Sequence, residues 1–305
     1  MNNIKTQFSI KDLENLSGIK AHTIRIWEKR YALLSPSRTD TNIRYYDLKN
    51  LRHLLNVTFL YNNGYKISKI SELSPEEIKK KCREIISEQA VKNLFINDMK
   101  LAMLNFDQVL FETTYQKLIT VIDFREVFVS YFIPFLEEIG LLWHTDTINP
   151  AHEHFITALI KQKIMVHTEQ GQSIAPTHQN HRFILFLPDN EIHELGLAYA
   201  NYEIIKNGYS SIYLGQSVPM SSLRSFLSYD EKIIFVTYFT VEPLLDKIPE
   251  YLEEINKSIL EQCNSELWIL GRSLDVLTDL PYNDKLKFLT MPSLIDELTN
   301  CLAEI

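Results

Sequence analysis

Three short stretches of this chain hold side chains whose types and spacing could do chemistry. The first is Glu191-Ile192-His193-Glu194-Leu195-Gly196. It follows Phe183-Ile184-Leu185-Phe186-Leu187, a continuous apolar run of the kind that forms a strand buried on both faces. A histidine on the loop after such a strand holds its imidazole over the strand ends, where it can ligate the metal of a bound cofactor. An acid two residues earlier can hold the other ring nitrogen and raise the basicity of the ligand. Gly196 permits close backbone approach. The same stretch also suits a polar helix start in an α/β domain that binds nothing. The second stretch is Trp143-His144, then Glu153-His154, with Asn149-Pro150 between them as a helix-loop-helix break. Here Trp143 also reads as a core aromatic, and His144, His152 and His154 as a surface cluster or an adventitious metal site. The third is Thr23 to Tyr31, a short helix that turns Ile24 and Trp27 inward and Arg25, Lys29 and Arg30 outward. Such a basic face suits phosphates and base edges. It also suits a solvated face on a protein-interaction bundle.

Other chemistries find no support. Cys82, Cys263 and Cys301 are odd in number and far apart, which argues against a disulfide framework and a thiolate metal site. The chain has no nucleophile elbow, P-loop or His-Glu-x-x-His motif, so we expect no enzyme activity. No apolar run reaches the roughly 18 residues of a membrane span. The start, MNNIKTQFSI, is too polar for a secretory signal. These features together imply a cytoplasmic protein away from membranes.

The net charge of −8 seems unfavourable for a nucleic-acid partner, but it is an average. Residues 1–75 hold 12 Lys+Arg and 6 Asp+Glu, a net +6, and the other 230 residues carry a net −14. A basic head sits on an acidic body.

The elements that must position these residues follow from periodicity. Ser9 caps a first helix with Asp12 reaching back, and Gly18 ends it. The helix from about His22 to Tyr31 completes a helix-turn-helix. Residues 33–46 are turn-rich, then β-prone, and suit a hairpin wing. A helix from Leu48 to Asn62 buries Leu51, Leu54, Leu55, Thr58 and Phe59, and a shorter one runs from Ile67 to Leu73. Ser74-Pro75 starts a bundle of four or five helices that reaches about His167, with Val127, Tyr131, Phe135 and Ile139 at core spacing. Gly140 and Asn149-Pro150 are its expected breaks. A polar linker, Gly171 to His181, leads to apolar runs at Phe183–Leu187, Ser211–Leu214, Ile233–Tyr238, Leu267–Leu270 and Leu286–Leu289. Helical stretches alternate with them, at about Ile192–Asn207, Ser221–Phe226, Leu244–Gln262, Leu274–Leu280 and Leu294–Ala303. That alternation predicts a doubly wound parallel sheet, flavodoxin-like or Rossmann-like, whose ligands sit beyond the carboxyl ends of the strands. We therefore expect a multidomain α and α/β chain: a winged helix-turn-helix head over residues 1–75, a helical bundle over 76–175 and an α/β domain over 180–305.

The head resembles the MerR family of winged-helix regulators through Phe8 to Leu13, Gly18-Ile19, Thr23 to Tyr31, Pro36, Arg38, Arg44-Tyr45-Tyr46 and Asp47-Leu48. The match covers about the first quarter of the chain. It departs at Lys20-Ala21, where the family often has a Ser that caps the recognition helix, so we expect a less rigid helix start. The resemblance implies a double-stranded DNA operator, a homo-oligomer (dimer or tetramer), and contacts from Thr23, Arg25, Lys29, Arg30, Arg38, Arg44 and Tyr45. The Glu191-x-His193-x-x-Gly196 stretch resembles the motif of cobalamin-binding domains, which implies His193 as lower axial ligand of cobalt. Trp143, His144, Glu153 and His154 resemble the bundle signature of MerR-type adenosylcobalamin photoreceptors, the repressors of carotenoid genes. In that family these residues cover the cofactor's upper face, and His154, or less readily His144, can bind cobalt once light has removed the adenosyl group. Thr237 stands where cobalamin domains carry a Ser-x-Leu on the third strand, and Gly271 retains one glycine of a Gly-Gly pair. Both positions accommodate the nucleotide tail, and Phe239 and Leu270 make that tail pocket narrower here. The implied function is a repressor sensing adenosylcobalamin, with light as a signal. One alternative is a cobalamin-independent regulator whose α/β domain docks an antagonist protein. A cobalamin-dependent methyltransferase module is a third reading, disfavoured by the DNA-binding head.

Overall fold

The computed structural model describes residues 7–85, 87–271 and 284–300. Its contacts divide the chain into two units, Met1–Leu159 and Ile160–Ile305.

The first unit opens with α1 (Ile10–Ser17), where Ser9 and Asp12 form the expected capping box and Gly18 adopts the left-handed cap conformation. Next are α2 (Ala21–Tyr31) and a two-stranded antiparallel wing, β1 (Ser37–Arg38) and β2 (Arg44–Tyr45), extended by a bridge from Phe8 to Tyr46. Asp47 caps α3 (Leu48–Asn62), which buries all five expected residues. A single turn, α4 (Ile67–Ile70), leads to α5 (Pro75–Glu84), started by Ser74 and Pro75 as expected. The bundle continues through α6 (Glu88–Asn105), α7 (Gln108–Ile119), α8 (Phe124–Val127) and α9 (Ile133–His144). Phe128–Phe132 joins the last two with a wider helical turn just ahead of Pro134, which lacks a backbone donor. Gly140 does not break this helix. It lies inside α9, where burial of Phe135, Ile139 and Leu142 outweighs the roughly 1 kcal/mol by which glycine disfavours a helix. Among the described residues, Phe124–His144 is the one helical stretch long and apolar enough to cross a membrane. Arg125, Glu126, Glu137 and Glu138 divide it into shorter apolar runs, so the expectation that no such stretch exists does not hold for this helix taken whole. Its Val127, Tyr131, Phe135, Ile139 and Leu142 are buried at helical spacing, as in a bundle core.

The helix α10 (Pro150–Gln172) starts at Asn149-Pro150 as expected and carries the chain into the second unit. There five strands, β3 (His178–Phe186), β4 (Tyr209–Gly215), β5 (Lys232–Phe239), β6 (Ser265–Gly271) and β7 (Leu286–Leu289), pair in the order β4-β3-β5-β6-β7, all parallel. The order reverses between β3 and β5, and that switch point is where such sheets bind ligands. Phe183, Leu185 and Leu187 pack on one face with α11 (Leu195–Lys206) and α13 (Met291–Asn300). Ile184 and Phe186 pack on the other with α12 (Ile248–Ser258), so the sheet is doubly wound.

Several boundaries differ from the periodicity. The strand β3 begins at His178 rather than Phe183, because His178 stacks on Tyr209 at 4.5 Å and extends the pairing through polar residues. The polar linker is correspondingly shorter. Residues 192–194 are loop, and α11 starts at Leu195. Met220–Phe226 is a 3-10 turn with only Leu223 buried, too short an apolar stripe to hold an α-helix. Pro249 fixes the start of α12 later than Leu244. The helix expected over Leu274–Leu280 lies outside the described residues.

Two glycines test this account. At Gly140 a Cβ would meet nothing within 4 Å, whereas at Gly271, with φ +149°, it would lie 2.3 Å from the Phe239 carbonyl oxygen. In urea unfolding, Gly140→Ala is expected to stabilise by about 0.5–1 kcal/mol. Gly271→Ala is expected to destabilise by about 2 kcal/mol or more.

Candidate cofactor and nucleic-acid sites

In the head, Arg25, Lys29 and Arg30 are exposed on α2 opposite buried Ile24 and Trp27, Thr23 is half-buried, and Arg38 is exposed on the wing. Arg38 donates to Asn42 Oδ1 at 2.5 Å within the turn, and Tyr45 is half-buried. Arg44 is engaged differently. Its Nε donates to Glu28 Oε1 at 3.0 Å while the Tyr46 hydroxyl donates to Glu28 Oε2 at 2.7 Å. Burial and the adjacent Glu28 carboxylate raise the Tyr46 pKa, so the phenol stays a donor. One carboxylate of α2 thus clamps the wing, and nothing in the local sequence pattern flagged Glu28. The missing Ser cap at Lys20 also has a remedy. No side chain of Lys20 caps α2, but the Ala21 N–H donates to Glu14 Oε2 at 3.2 Å from α1. That hydrogen bond lowers the Glu14 pKa, and it caps the helix start that the sequence alone left loose.

The corner between α9 and α10 gathers the second set. Trp143 is 43% exposed, so it is a surface aromatic rather than a core one. His144 and His154 are exposed, and Glu153 Oε2 lies 2.8 Å from His154 Nδ1. His152 belongs to the core instead: it is fully buried and stacks on Phe106 at 5.0 Å. The corner is tied to the head by contacts the sequence did not announce. Asn15 Nδ2 on α1 donates to Thr147 Oγ1 at 2.8 Å. Lys100 Nζ on α6, 6% exposed, donates to the Leu16 carbonyl at 3.2 Å and pairs with Glu138 of α9 at 2.7 Å.

In the second unit, Glu191 and His193 lie on the loop after β3, at the switch point. The Glu191 carboxylate is 1% exposed. Its Oε2 accepts from the N–H groups of Val241 at 2.7 Å and Glu242 at 2.9 Å on the loop after β5. Its Oε1 accepts from the N–H groups of Ile192 and His193, both at 2.8 Å, and faces His193 Nδ1 at 2.6 Å. Burial alone would raise the Glu191 pKa, but these donors outweigh it and hold it down to about 2. An ionised carboxylate only accepts, so His193 Nδ1 must carry the proton, and Nε2 keeps its lone pair for a ligand. The His193 side chain is 52% exposed. Ile192, Val241, Leu244 and Leu245 are exposed apolar side chains on the same two loops. Such a cluster suits a flat apolar ligand. Glu194 braces the loop by accepting from Lys161 at 2.5 Å and from the Tyr213 hydroxyl at 2.9 Å.

The remaining expected positions are filled from within. A Cβ on Gly196 would lie 2.5 Å from the Tyr238 ring, so what approaches this glycine closely is a side chain of β5. The close neighbour of Gly271 is the Phe239 carbonyl. Thr237 is fully buried and its Oγ1 has no hydrogen-bond partner. Among the described residues no group of three or more His, Cys, Asp or Glu is gathered to hold a bare metal ion.

A helix-turn-helix with a basic face, joined to a helical bundle and a parallel α/β domain with a histidine at its switch point, has the make-up of a regulator that carries a cofactor module. Comparisons agree. Residues 8–77 match the family model of MerR HTH family regulatory proteins, and residues 95–166 match that of the B12 binding domain. The chain is 24% identical over 224 residues to the HTH-type transcriptional repressor CarH of Myxococcus xanthus, covering 71% of this chain and 73% of that one. It is 24% identical over 218 residues to the repressor CarA of the same organism, covering 70% of each. The monomethylamine corrinoid protein of Methanosarcina barkeri shares the fold, with a TM-score of 0.53 at 11% identity over 69% of this chain and 96% of that one. This chain joins a MerR-type helix-turn-helix to a B12-binding domain and is a homologue of CarH and CarA.

The residues present fit a cobalamin at its lower face: an oriented imidazole, an apolar surround and an orphaned hydroxyl at Thr237. Glu191→Gln would place an amide donor against the N–H groups of Val241 and Glu242 or against the His193 ring. It is expected to destabilise the protein by about 2 kcal/mol or more in urea unfolding. His193 Nδ1–H should also lose its single preferred tautomer, read from imidazole nitrogen NMR shifts.

Proposed function

We propose that this chain is a DNA-binding transcriptional repressor that senses cobalamin, with the adenosyl form as ligand and light as a signal. The observation that carries the reading is the Glu191-held His193 at the switch point, in a chain with a DNA-binding head. In this reading residues 1–75 bind DNA, 76–175 contact the adenosyl side of the cofactor and 180–305 hold its lower face. Arg25, Lys29, Arg30 and Thr23 address the major groove, while Arg38, Arg44 and Tyr45 hold phosphates. His193 Nε2 would ligate the cobalt, its ring held by Glu191 through Nδ1. Trp143, His144, Glu153 and His154 would contact the adenosyl group, and His154 would offer cobalt a nitrogen on that side. Bound adenosylcobalamin supplies a cobalt–carbon bond that light cleaves. The net −14 of residues 76–305 repels phosphate, so heads paired by a homo-oligomer, not the body, raise DNA affinity through effective concentration.

A second reading draws on Tyr238. It is the middle residue of Thr237-Tyr238-Phe239, where the resemblance places the nucleotide tail, and its ring fills the space beside Gly196. This favours a regulator that works without cobalamin and docks an antagonist protein through its α/β domain.

Visible spectra of the purified protein with adenosylcobalamin, recorded dark and then illuminated, separate the two. The first reading expects a bound cofactor with a light-dependent spectral change, about tenfold or greater loss of affinity in His193→Ala, and weaker operator binding in Arg25→Ala. Tyr238→Ala is expected to raise cobalamin affinity while leaving affinity for tail-less cobinamide unchanged. No bound cofactor in either wild type or Tyr238→Ala would leave only the second reading.

A further inference from the structure

The first unit contains a cavity of about 590 Å³ that has no part in either site above. Its walls come from α3, α5, α6 and α7, and its interior is apolar, with Leu55, Leu94, Phe95, Leu101 and Leu110. That volume suits a small molecule. Four cations from three helices stand around it: Arg52 on α3, Lys79 and Arg83 on α5, and Lys117 on α7, all exposed. Asp98 is the single carboxylate of the lining, so the site carries a net positive charge. In the wall, Thr114 is 4% exposed and its Oγ1 has no hydrogen-bond partner. A buried hydroxyl without a partner is costly, and an acceptor in the cavity would remove that cost.

We propose that this cavity binds a small amphipathic carboxylate of the fatty-acid type. The apolar tail packs among the leucines, and the carboxylate meets the cations with Thr114 as donor. Burial raises the Asp98 pKa against the pull of Lys117, Arg52, Arg83 and Lys79. A cationic amphiphile would face four like charges. Because Arg52, Leu55 and Asn56 belong to α3, the helix that follows the wing, the ligand would brace the DNA-binding head against the bundle.

The test is calorimetric titration of the full-length protein, without cobalamin, using sub-micellar dodecanoate, dodecanol and dodecylammonium as probes. Saturable binding of a single dodecanoate is expected, with the alcohol and the ammonium at least about tenfold weaker. The double substitution Arg83→Glu with Lys117→Glu, both at exposed positions, should weaken dodecanoate by about tenfold or more and leave dodecanol unchanged. Leu110→Trp should fill the cavity and abolish binding of all three. Absence of dodecanoate binding, equal affinity for the three head groups, or indifference to the charge reversal would each overturn the proposal.

Discussion

The Glu191 carboxylate accepts five hydrogen bonds, three from its own loop and two from the loop after β5. Its carbonyl also accepts from Ser217, on the segment after β4. The carboxyl ends of β3, β4 and β5 are therefore held by one residue at the point where strand order reverses. A doubly wound sheet leaves a crevice there because its crossovers diverge to opposite faces. Glu191 closes the floor of that crevice and also fixes the ring of His193. Position and chemical state of the candidate ligand thus have one cause: a carboxylate too well solvated by backbone donors to take up a proton near neutral pH.

Carboxylates play a parallel part in the head. Glu14 caps α2 from α1, and Glu28 binds the wing to α2 through Arg44 and Tyr46. Each satisfies donors that would otherwise be open at a helix end or a two-residue strand, elements too short to be stable by themselves. The basic face of α2 stays exposed because its acidic residue turns toward the wing. A helix with Arg25, Lys29 and Arg30 outward and Glu28 engaged presents one sign of charge to a phosphate backbone.

Most of the fold was legible because burial writes a period into sequence. The capping box at Ser9, the Pro75 helix start, the apolar runs of all five strands and the helical spacing of Val127, Tyr131, Phe135 and Ile139 each have a local cause. What periodicity could not carry was set by partners distant in the chain. His178 joins β3 because Tyr209 offers it a ring, and Gly140 stays helical because its neighbours are buried. The Glu191–His193 pairing was readable, since both partners lie on one loop. Its other half, the N–H groups of Val241 and Glu242, was not, because backbone donors leave no mark in residue type. The Gly196–Tyr238 approach was hidden because Tyr238 lies on a strand distant in the chain: the motif glycine named the gap and not what fills it.

The ties between α1 and the α9–α10 corner bear on how a signal could reach DNA. Thr147 is fully buried and receives Asn15 from α1, four residues beyond Trp143 and six before Glu153. Lys100 joins the last turn of α1 to α6 and α9, and its buried amine would lose its counter-charge if Glu138 withdrew and a hydrogen bond if Leu16 did. The corner that carries the candidate upper-face residues and the helix that braces the recognition helix therefore belong to one packed unit. A change that shifts the corner must either carry α1 with it or break buried polar contacts, and close-packed interiors resolve such choices between discrete arrangements. A displacement of the corner is then also a displacement of the start of α2, since α1, through Glu14, sets where α2 begins.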